Sequence, residues 1–544
     1  MKSDVDSSRH AGKRGLSILA AILTVAIAGA LFFIQLGAYA LWDDEAMDAL
    51  SARGVVETGD VTAKLGDNIV AYRNGLLLVD MRHQGMPPLP AYLVAASFRI
   101  FGESAWSARL PFALCGLGFF ALISWGALQL RLSLVAQILL SLGLIGNVSL
   151  LLYFRNCHYY GLGIFLSTVI TYLYLYRLST RSGQLGIAVL LGLLMTANPS
   201  WFVTLSACLF FDYIFWHRRN RLLGVQDLLR IFLPQVAFGI LMLWRFNPLG
   251  TELGGYLGKN SILDRLLLYY WNWRDLNSCE FIAGVVLVVA VCGLPVWRNP
   301  WIVRVLAALF VYISSITVLS TQIVSDTSVA DVRYMAGCIL LCIVLGVMVI
   351  LELTRSRRWL AIPLGLILFG TNLLHGGPFQ NVGFRSTIFA FIGELAGLPS
   401  EPYSAAAAWI NDNMKKGQSL WVLPQHMMYP LLFHAPDPVY AWQLAADNKS
   451  SQFLDLDDIH FQARSAPDYI MVFGPIVQQI VENLRSWEGQ GIRYRQKETL
   501  DVFWKDLYRP ELFWRRFSPV ENYNKDFEAI QIFERFSPPP SGIK

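Results

Sequence analysis

Charge is scarce in this chain. Only 15% of its 544 residues are Asp, Glu, Lys or Arg, against about a quarter in soluble domains, which excludes a soluble globular protein. A mean hydropathy of +0.44 and a 55% hydrophobic composition place it among integral membrane proteins. Cysteine is sparse too. There are seven, none after Cys342 and none in CxxC spacing, so neither a disulfide framework nor a zinc site is expected. No GxGxxG or GxxxxGK[ST] occurs in the polar C-terminal region, so the common nucleotide-binding loops are excluded there. The net charge of +5 sits mostly in short loops between apolar runs. It therefore reports membrane orientation and gives no basis for a nucleic-acid partner. No internal repeat is visible.

What the chain does have is long apolar runs. Segments able to span a bilayer fall near 15–41, 106–130, 134–152, 159–176, 228–244, 279–297, 301–320, 335–353 and 359–375. The stretch 185–215 is too long for one span, and Asn198-Pro199-Ser200 predicts a helical hairpin there. About eleven spans result. With Lys2, Arg9, Lys13 and Arg14 inside, the first run is a retained helix, and every later basic cluster falls on the cytoplasmic side: Arg131, Arg177 with Arg181, Arg218 to Arg221, Arg298 with Arg304, and Arg355 to Arg358. The outward segments are then 42–105, 153–158, 245–278 and 321–334. In the first, Asp48 to Val56 and Ala91 to Ile100 read as short interfacial helices.

After His375 the composition turns polar. Helix patterns at Ser404–Met414, His426–Phe433 and Ile476–Trp487 alternate with strand patterns at Ser419–Leu423 and Asp468–Phe473. Residues 376–544 thus read as an α/β domain on the outer side, behind a membrane domain of residues 1–375. The fold class is mainly α: a polytopic helical bundle with a C-terminal α/β domain.

The chemistry-bearing residues cluster on the outer side. Trp42-Asp43-Asp44-Glu45 follows the first apolar run, and Phe101-Gly102-Glu103-Ser104-Ala105-Trp106-Ser107-Ala108-Arg109-Leu110-Pro111 opens the second. Charge at the mouth of a membrane bundle is costly unless it meets water, a partner or a substrate. Adjacent carboxylates also repel, which favours a base or a cation ligand. A solvated helix end is the plain alternative. Arg155 and Arg333 lie at span ends on the same side, with interfacial snorkelling as their plain alternative. His158, Tyr159, Tyr160, Tyr270 and Tyr334 stand where belt aromatics stand, and where a sugar or phosphate would be held.

An acid pair after the first helix, then Pro87-Pro88-Leu89, then Phe-Gly-x-Ser-x-Trp-Ser-x-Arg-Leu-Pro into the second helix, resembles the GT-C glycosyltransferases. The nearest pattern is that of protein O-mannosyltransferases and of the bacterial aminoarabinose transferases that modify lipid A. Residues 40–115 carry the likeness best. It implies that Asp44 is the catalytic base, Glu45 its neighbour and Asp43 an extra acid near substrate. Phe154-Arg155-Asn156-Cys157-His158 and Asp331-Val332-Arg333-Tyr334 resemble the family's arginine-bearing helix openings, which implies donor-phosphate contacts from Arg155, Arg333 and His158. One departure stands out. Aminoarabinose transferases have Glu-Lys before Pro-Pro-Leu, and here the positions are Gly85-Met86. The phosphate-contacting Lys is missing, and Arg82 or His83 is its candidate substitute.

The resemblance implies an inverting glycosyltransferase of the bacterial inner membrane. Its donor would be a polyprenyl-phosphate sugar, and its acceptor a periplasmic glycan, lipid or protein. No cofactor is expected, although a divalent cation is compatible with some members. The rivals are a lipid-linked-sugar flippase or transporter, which should carry mid-bilayer charge on paired broken helices, and an oligosaccharide transferase or polysaccharide ligase.

Overall fold

The computed structural model describes residues 2–76, 78–83, 87–218, 223–246, 260–293, 297–326, 329–376, 384, 386–397, 401–474, 492–502 and 529–536. The expected helix at Ile476–Trp487, the Gly85-Met86 departure and the proline-rich tail fall outside these residues.

Helix α1 (Lys2–Phe33) is followed by α2 (Asp43–Thr58), two short hairpins and α3 (Pro88–Phe101). The hairpins pair β1 (Lys64–Leu65) with β2 (Asn68–Ile69), and β3 (Leu78–Val79) with β4 (Arg82–His83). Next come α4 (Ala105–Gln129), α5 (Leu134–Gly146), α6 (Val148–Phe154), α7 (Tyr159–Arg177), α8 (Arg181–Ala197), α9 (Pro199–Asp212) and α10 (Val225–Arg245). Among the described residues, six helices are long and apolar enough to cross a bilayer, and the α5–α6 pair, bent by 64°, makes a seventh if taken as one span. Among the described residues, the other expected apolar segments carry the helices Arg181–Ala197, Pro199–Asp212, Gly284–Cys292 and Ala361–Gly370, each under 18 residues.

Two asparagines mark the breaks. Asn198 Oδ1 accepts from the Trp201 N–H at 3.0 Å, with Pro199 in the first turn, so the predicted hairpin turns where expected. Asn147 does the same for α6, accepting from the Leu150 N–H at 2.9 Å. Packing between α1, α4 and α6 is aromatic. Phe32 meets Phe120 and Phe154 edge-on at 5.5 and 5.6 Å. A side chain at Gly116 would strike both Phe154 and Phe32, so this crossing admits only glycine without a shift.

Helix α2 departs from expectation. It begins at Asp43 rather than near Asp48, so the three acids form its first turn, where helix N-termini favour negative charge. Most of it is buried between α3 and the helix Met428–His434 of the C-terminal region.

That region holds a five-stranded sheet ordered β6-β5-β7-β9-β8. The strands β5 (Ser419–Leu423), β6 (Val439–Tyr440) and β7 (Tyr469–Phe473) run parallel, while β8 (Arg493–Asp501) and β9 (Ala529–Phe536) join antiparallel. Strand β7 is buried throughout, which fits a central strand covered on both faces.

The sheet region is clamped onto loop 42–105. Ala63, Ile69, Ala71 and Leu78 share a small core with Leu444, Phe453 and Phe461. Arg53 donates to the carbonyls of Leu432 and Phe433 at 3.3 and 2.9 Å. His434 Nε2 accepts from the Leu41 N–H at 3.1 Å. Burial, with Arg109 and Arg53 nearby, pushes this imidazole down to a pKa of about 4, which keeps its acceptor nitrogen available. Asn68, 3% exposed, donates to the Pro438 carbonyl at 2.8 Å and accepts from the Tyr440 N–H at 2.7 Å. Asn68→Ala should therefore lower stability by about 1–3 kcal/mol for each buried group left unpaired. A wild-type melting temperature for the purified variant would show that this clamp holds nothing.

Candidate active site

The site is built on a buried ion pair. Arg109 comes from the Ser-Ala-Arg-Leu-Pro stretch of α4 and is 1% exposed, while Glu45 is fully buried. Arg109 Nε meets Glu45 Oε1 at 2.9 Å, and Nη2 meets Oε2 at 2.6 Å. This is the two-pronged geometry that suits guanidinium to carboxylate. The same guanidinium donates to the carbonyls of Leu36, Tyr39 and Ala40 at 3.0, 3.0 and 2.9 Å. Glu45 Oε1 also accepts from the Cys157 N–H at 2.6 Å, and Trp42 Nε1 donates to Asn156 Oδ1 at 3.2 Å. Three chain segments, 36–45, 109 and 156–157, are thereby locked together.

Several expected site residues belong to this foundation. Glu45, assigned beside the base, has its oxygens committed to Arg109 and main-chain N–H groups, and meets no solvent. Arg155, assigned to the donor phosphate, is buried and donates to the carbonyls of Leu31, Phe32, Ile34 and Gln35 at 2.6, 2.9, 2.8 and 3.2 Å. It caps the end of α1, where carbonyls lack intrahelical partners. His83 is buried in β4, and burial pushes its imidazole to a pKa of about 4, so it brings no positive charge to a phosphate at neutral pH. Tyr270 is exposed on the helix Ile262–Ser278 and, among the described residues, makes no contact with Asp44 or Arg333.

Above the foundation lies an open layer. Arg333 Nη1 meets Asp44 Oδ2 at 2.8 Å, and its Nε meets Asp331 at 3.0 Å. The side chains of Arg333, Asp44 and Asp331 are 20%, 27% and 25% exposed, so a ligand can reach all three. The guanidinium also lies 5.5 Å from the Tyr334 ring centre. Asp43 turns back on its own helix, accepting from the Asp44 N–H at 2.9 Å. The loop carrying Asp331 is held by Asp275, which is fully buried, pairs with Arg274 and accepts from the Ala330 N–H at 2.8 Å through Oδ2.

Next to Asp44 stands a second pair. His158 Nδ1 is 2.6 Å from Asp48 Oδ2, and the ring is flanked by Tyr159 and Tyr160 at 4.3 and 4.8 Å. Asp48 was read only as the start of a helix. Its position four residues after Asp44 on one helix face is the signal that points to it. Asp275 gave no sequence signal. Among the described residues, no group of three or more His, Cys, Asp or Glu side chains is arranged to hold a metal ion.

No protein-family model and no curated protein matches the chain. Solved structures do, and two of them illustrate the match. ArnT from Cupriavidus metallidurans bound to undecaprenyl phosphate superposes with a TM-score of 0.52 at 12% identity, over 94% of this chain and 97% of that one. The apo state of the same protein gives 0.53 over the same shares, at 12% identity. ArnT is a lipid A aminoarabinose transferase of the GT-C group. The chain has the ArnT fold. At this identity the likeness speaks for architecture, and the site must be argued from its own residues.

Two outcomes test the layering. Breaking a buried ion pair by removing one partner costs about 3–5 kcal/mol, so Glu45→Ala and Arg109→Ala should each lose folded protein rather than merely slow it. Either variant purifying with wild-type yield and melting temperature would remove the foundation. The second outcome concerns pH. Burial opposes charge on His158, but the Asp48 carboxylate outweighs it and raises the imidazole pKa above 6.5. A raised folded pKa contributes stability that is fully present below the unfolded value and lost as pH rises through the folded one. The stability gap between wild type and His158→Gln should thus be widest below pH 6.5 and narrow above it. Melting curves across pH check the sign.

Proposed function

We propose that the protein is an inverting glycosyltransferase of the bacterial inner membrane. It would move one sugar from a polyprenyl-phosphate carrier to a hydroxyl-bearing acceptor on the periplasmic face. The observation that carries this is the Asp44–Arg333 pair, reachable from solvent and fixed above the buried Glu45–Arg109 pair. The fold shared with ArnT supports it.

The roles follow from the geometry. A polyprenyl-phosphate sugar is a phosphodiester with its anomeric carbon at the membrane surface. Its phosphate would compete with Asp44 for Arg333, while Asp331 keeps the guanidinium in place. An arginine-bound carboxylate is a weak base, so donor binding would release Asp44 at the moment a base is needed. The acceptor oxygen then bonds to the anomeric carbon as the bond to the phosphate oxygen breaks. The acceptor proton goes to Asp44, and the lipid phosphate leaves with its new charge held by Arg333. This scheme takes its cation from Arg333 and calls for no divalent metal. Tyr334 and Tyr159, beside the pair, are positioned to flank the sugar. The clamped C-terminal region would form the wall against which the acceptor is chosen.

Transfer from a purified polyprenyl-phosphate sugar, with donor binding measured in parallel, tests the assignment. Asp44→Asn should lower kcat by at least about 10²-fold, the lower range for general-base catalysis. Donor affinity should hold or tighten, because Arg333 loses a competitor. Asp43→Asn should lose less than about tenfold, its effect being electrostatic near the surface. Arg333→Lys keeps the charge but loses the fork, and activity should fall while protein levels hold. Full turnover in Asp44→Asn would end this reading.

A further inference from the structure

An open cavity of about 670 Å³ lies between the β1–β2 hairpin and the C-terminal region. Its size is that of a small-molecule site. Lys64, Gly66, Asp67 and Asn68 form one wall, and the run from Asp455 to His460 forms much of the other. Charge on these walls is unbalanced. Arg535 is spent on Asp468 and on the Ala466 carbonyl, and Asp458 has Arg464 at 3.4 Å. Asp67, Asp455 and Asp457 are exposed, and among the described residues their carboxylates make no hydrogen bond or ion pair. Against these three stands the single ammonium of Lys64, which leaves two negative charges unanswered. His460 lines the same cavity and is 3% exposed. Its ring bonds to the backbone of Asp67 and Tyr440, while Nδ1 has no partner. Carbonyls only accept, so the ring proton belongs on Nε2 and Nδ1 presents a lone pair. Burial holds the imidazole below its ordinary pKa, which preserves that lone pair at neutral pH. A buried acceptor without a donor is rare in a folded chain and calls for one.

We infer that this cavity binds a small organic cation carrying two primary ammonium groups. The three carboxylates and the imidazole nitrogen all accept, so the ligand must donate. Each ammonium brings three donors and one positive charge, and two of them answer the residual charge of the walls. A neutral polyol would leave that charge in place. A bare metal ion fits poorly, because among the described residues no three side chains of the right kind are grouped to ligate one. One wall belongs to loop 42–105 and the other to the C-terminal region, so a bound diamine would bridge the two and tighten the clamp between them. The site is distinct from that of Asp44. The 16 residues of α2 separate the hairpin from that acid, roughly 24 Å at about 1.5 Å per residue. The inference rests on no part of the transferase reading.

The test uses the full chain in phosphatidylcholine nanodiscs, titrated with putrescine by calorimetry. Binding should saturate at one site per chain and raise the melting temperature, as a ligand of the folded state does. The double variant Asp455→Asn/Asp457→Asn changes two exposed side chains without changing their size. It should bind putrescine at least about tenfold more weakly, as loss of two charge-assisted hydrogen bonds implies, and lose the thermal shift. Asp67→Asn, on the opposite wall, should weaken binding as well. Putrescine methylated fully on both nitrogens keeps the charges but has no N–H to give, and it should bind at least about tenfold more weakly than the parent. Should the double variant lose its thermal transition, Asp67→Asn decides. Absence of saturable binding, or wild-type affinity in the folded variants, would overturn the site. Equal binding of the methylated diamine, or full displacement by an equal concentration of magnesium chloride, would overturn the ammonium assignment.

Discussion

How the first apolar helix ends determines the rest of the site. Main-chain carbonyls leaving α1 have no intrahelical donors, and in a water-poor setting each one left bare costs several kcal/mol. Two buried arginines answer for them. Arg155 serves the carbonyls from Leu31 to Gln35, and Arg109 those from Leu36 to Ala40. Lysine would not serve, because one ammonium cannot present five donors in a fixed plane. The carbonyl end of a helix carries partial negative charge, which offsets part of the cost of burying Arg155. Arg109 needs more, and Glu45 supplies it. That pairing sets the direction in which α2 leaves the membrane.

Neighbouring residues on a helix point about 100° apart, since 3.6 residues make a turn. With Glu45 directed inward to Arg109, Asp44 is turned outward toward Arg333. Asp48, one turn on, shares the face of Asp44 and meets His158. Two adjacent carboxylates thus have opposite fates from one constraint. One is sealed and neutralised. The other is partly exposed and meets Arg333.

Much of this was legible in the sequence. The apolar runs became helices, the hairpin turned at Asn198, and the strands at Ser419–Leu423 and near Asp468–Phe473 formed as read, because each signal is local: periodicity, a cap, a β-branched run. Strands β8 and β9 were not read. β9 is placed by its pairing with β7, far away in sequence, and β8 by its pairing with β9. The same holds for charge. That Arg333 and Asp331 lie beside each other was visible from spacing, and their meeting with Asp44 was expected only as a shared side of the membrane. Arg155 was misread because a cationic helix end looks the same in sequence whether it holds a phosphate or a row of carbonyls. Only the path of residues 31–35 distinguishes them. The burial of helix α2 was not legible for a similar reason. Its short polar and small residues are covered by elements more than three hundred residues later.

Net charge gives the last constraint on the chemistry. In a site with little water, any change in total charge is expensive, so a reaction runs best when charge moves without accumulating. In the proposed transfer the donor phosphodiester carries one negative charge and the departing lipid phosphate carries two. The extra charge appears at the atom nearest Arg333. In the same step the acceptor proton arrives on Asp44, which loses one negative charge while within hydrogen-bonding reach of that guanidinium. The sum is unchanged. A base placed elsewhere would leave Arg333 facing three negative partners at the end of the step: Asp44, Asp331 and the lipid phosphate. Sharing one arginine between base and leaving group keeps the balance, and the resting Asp44–Arg333 contact is that arrangement before the donor enters.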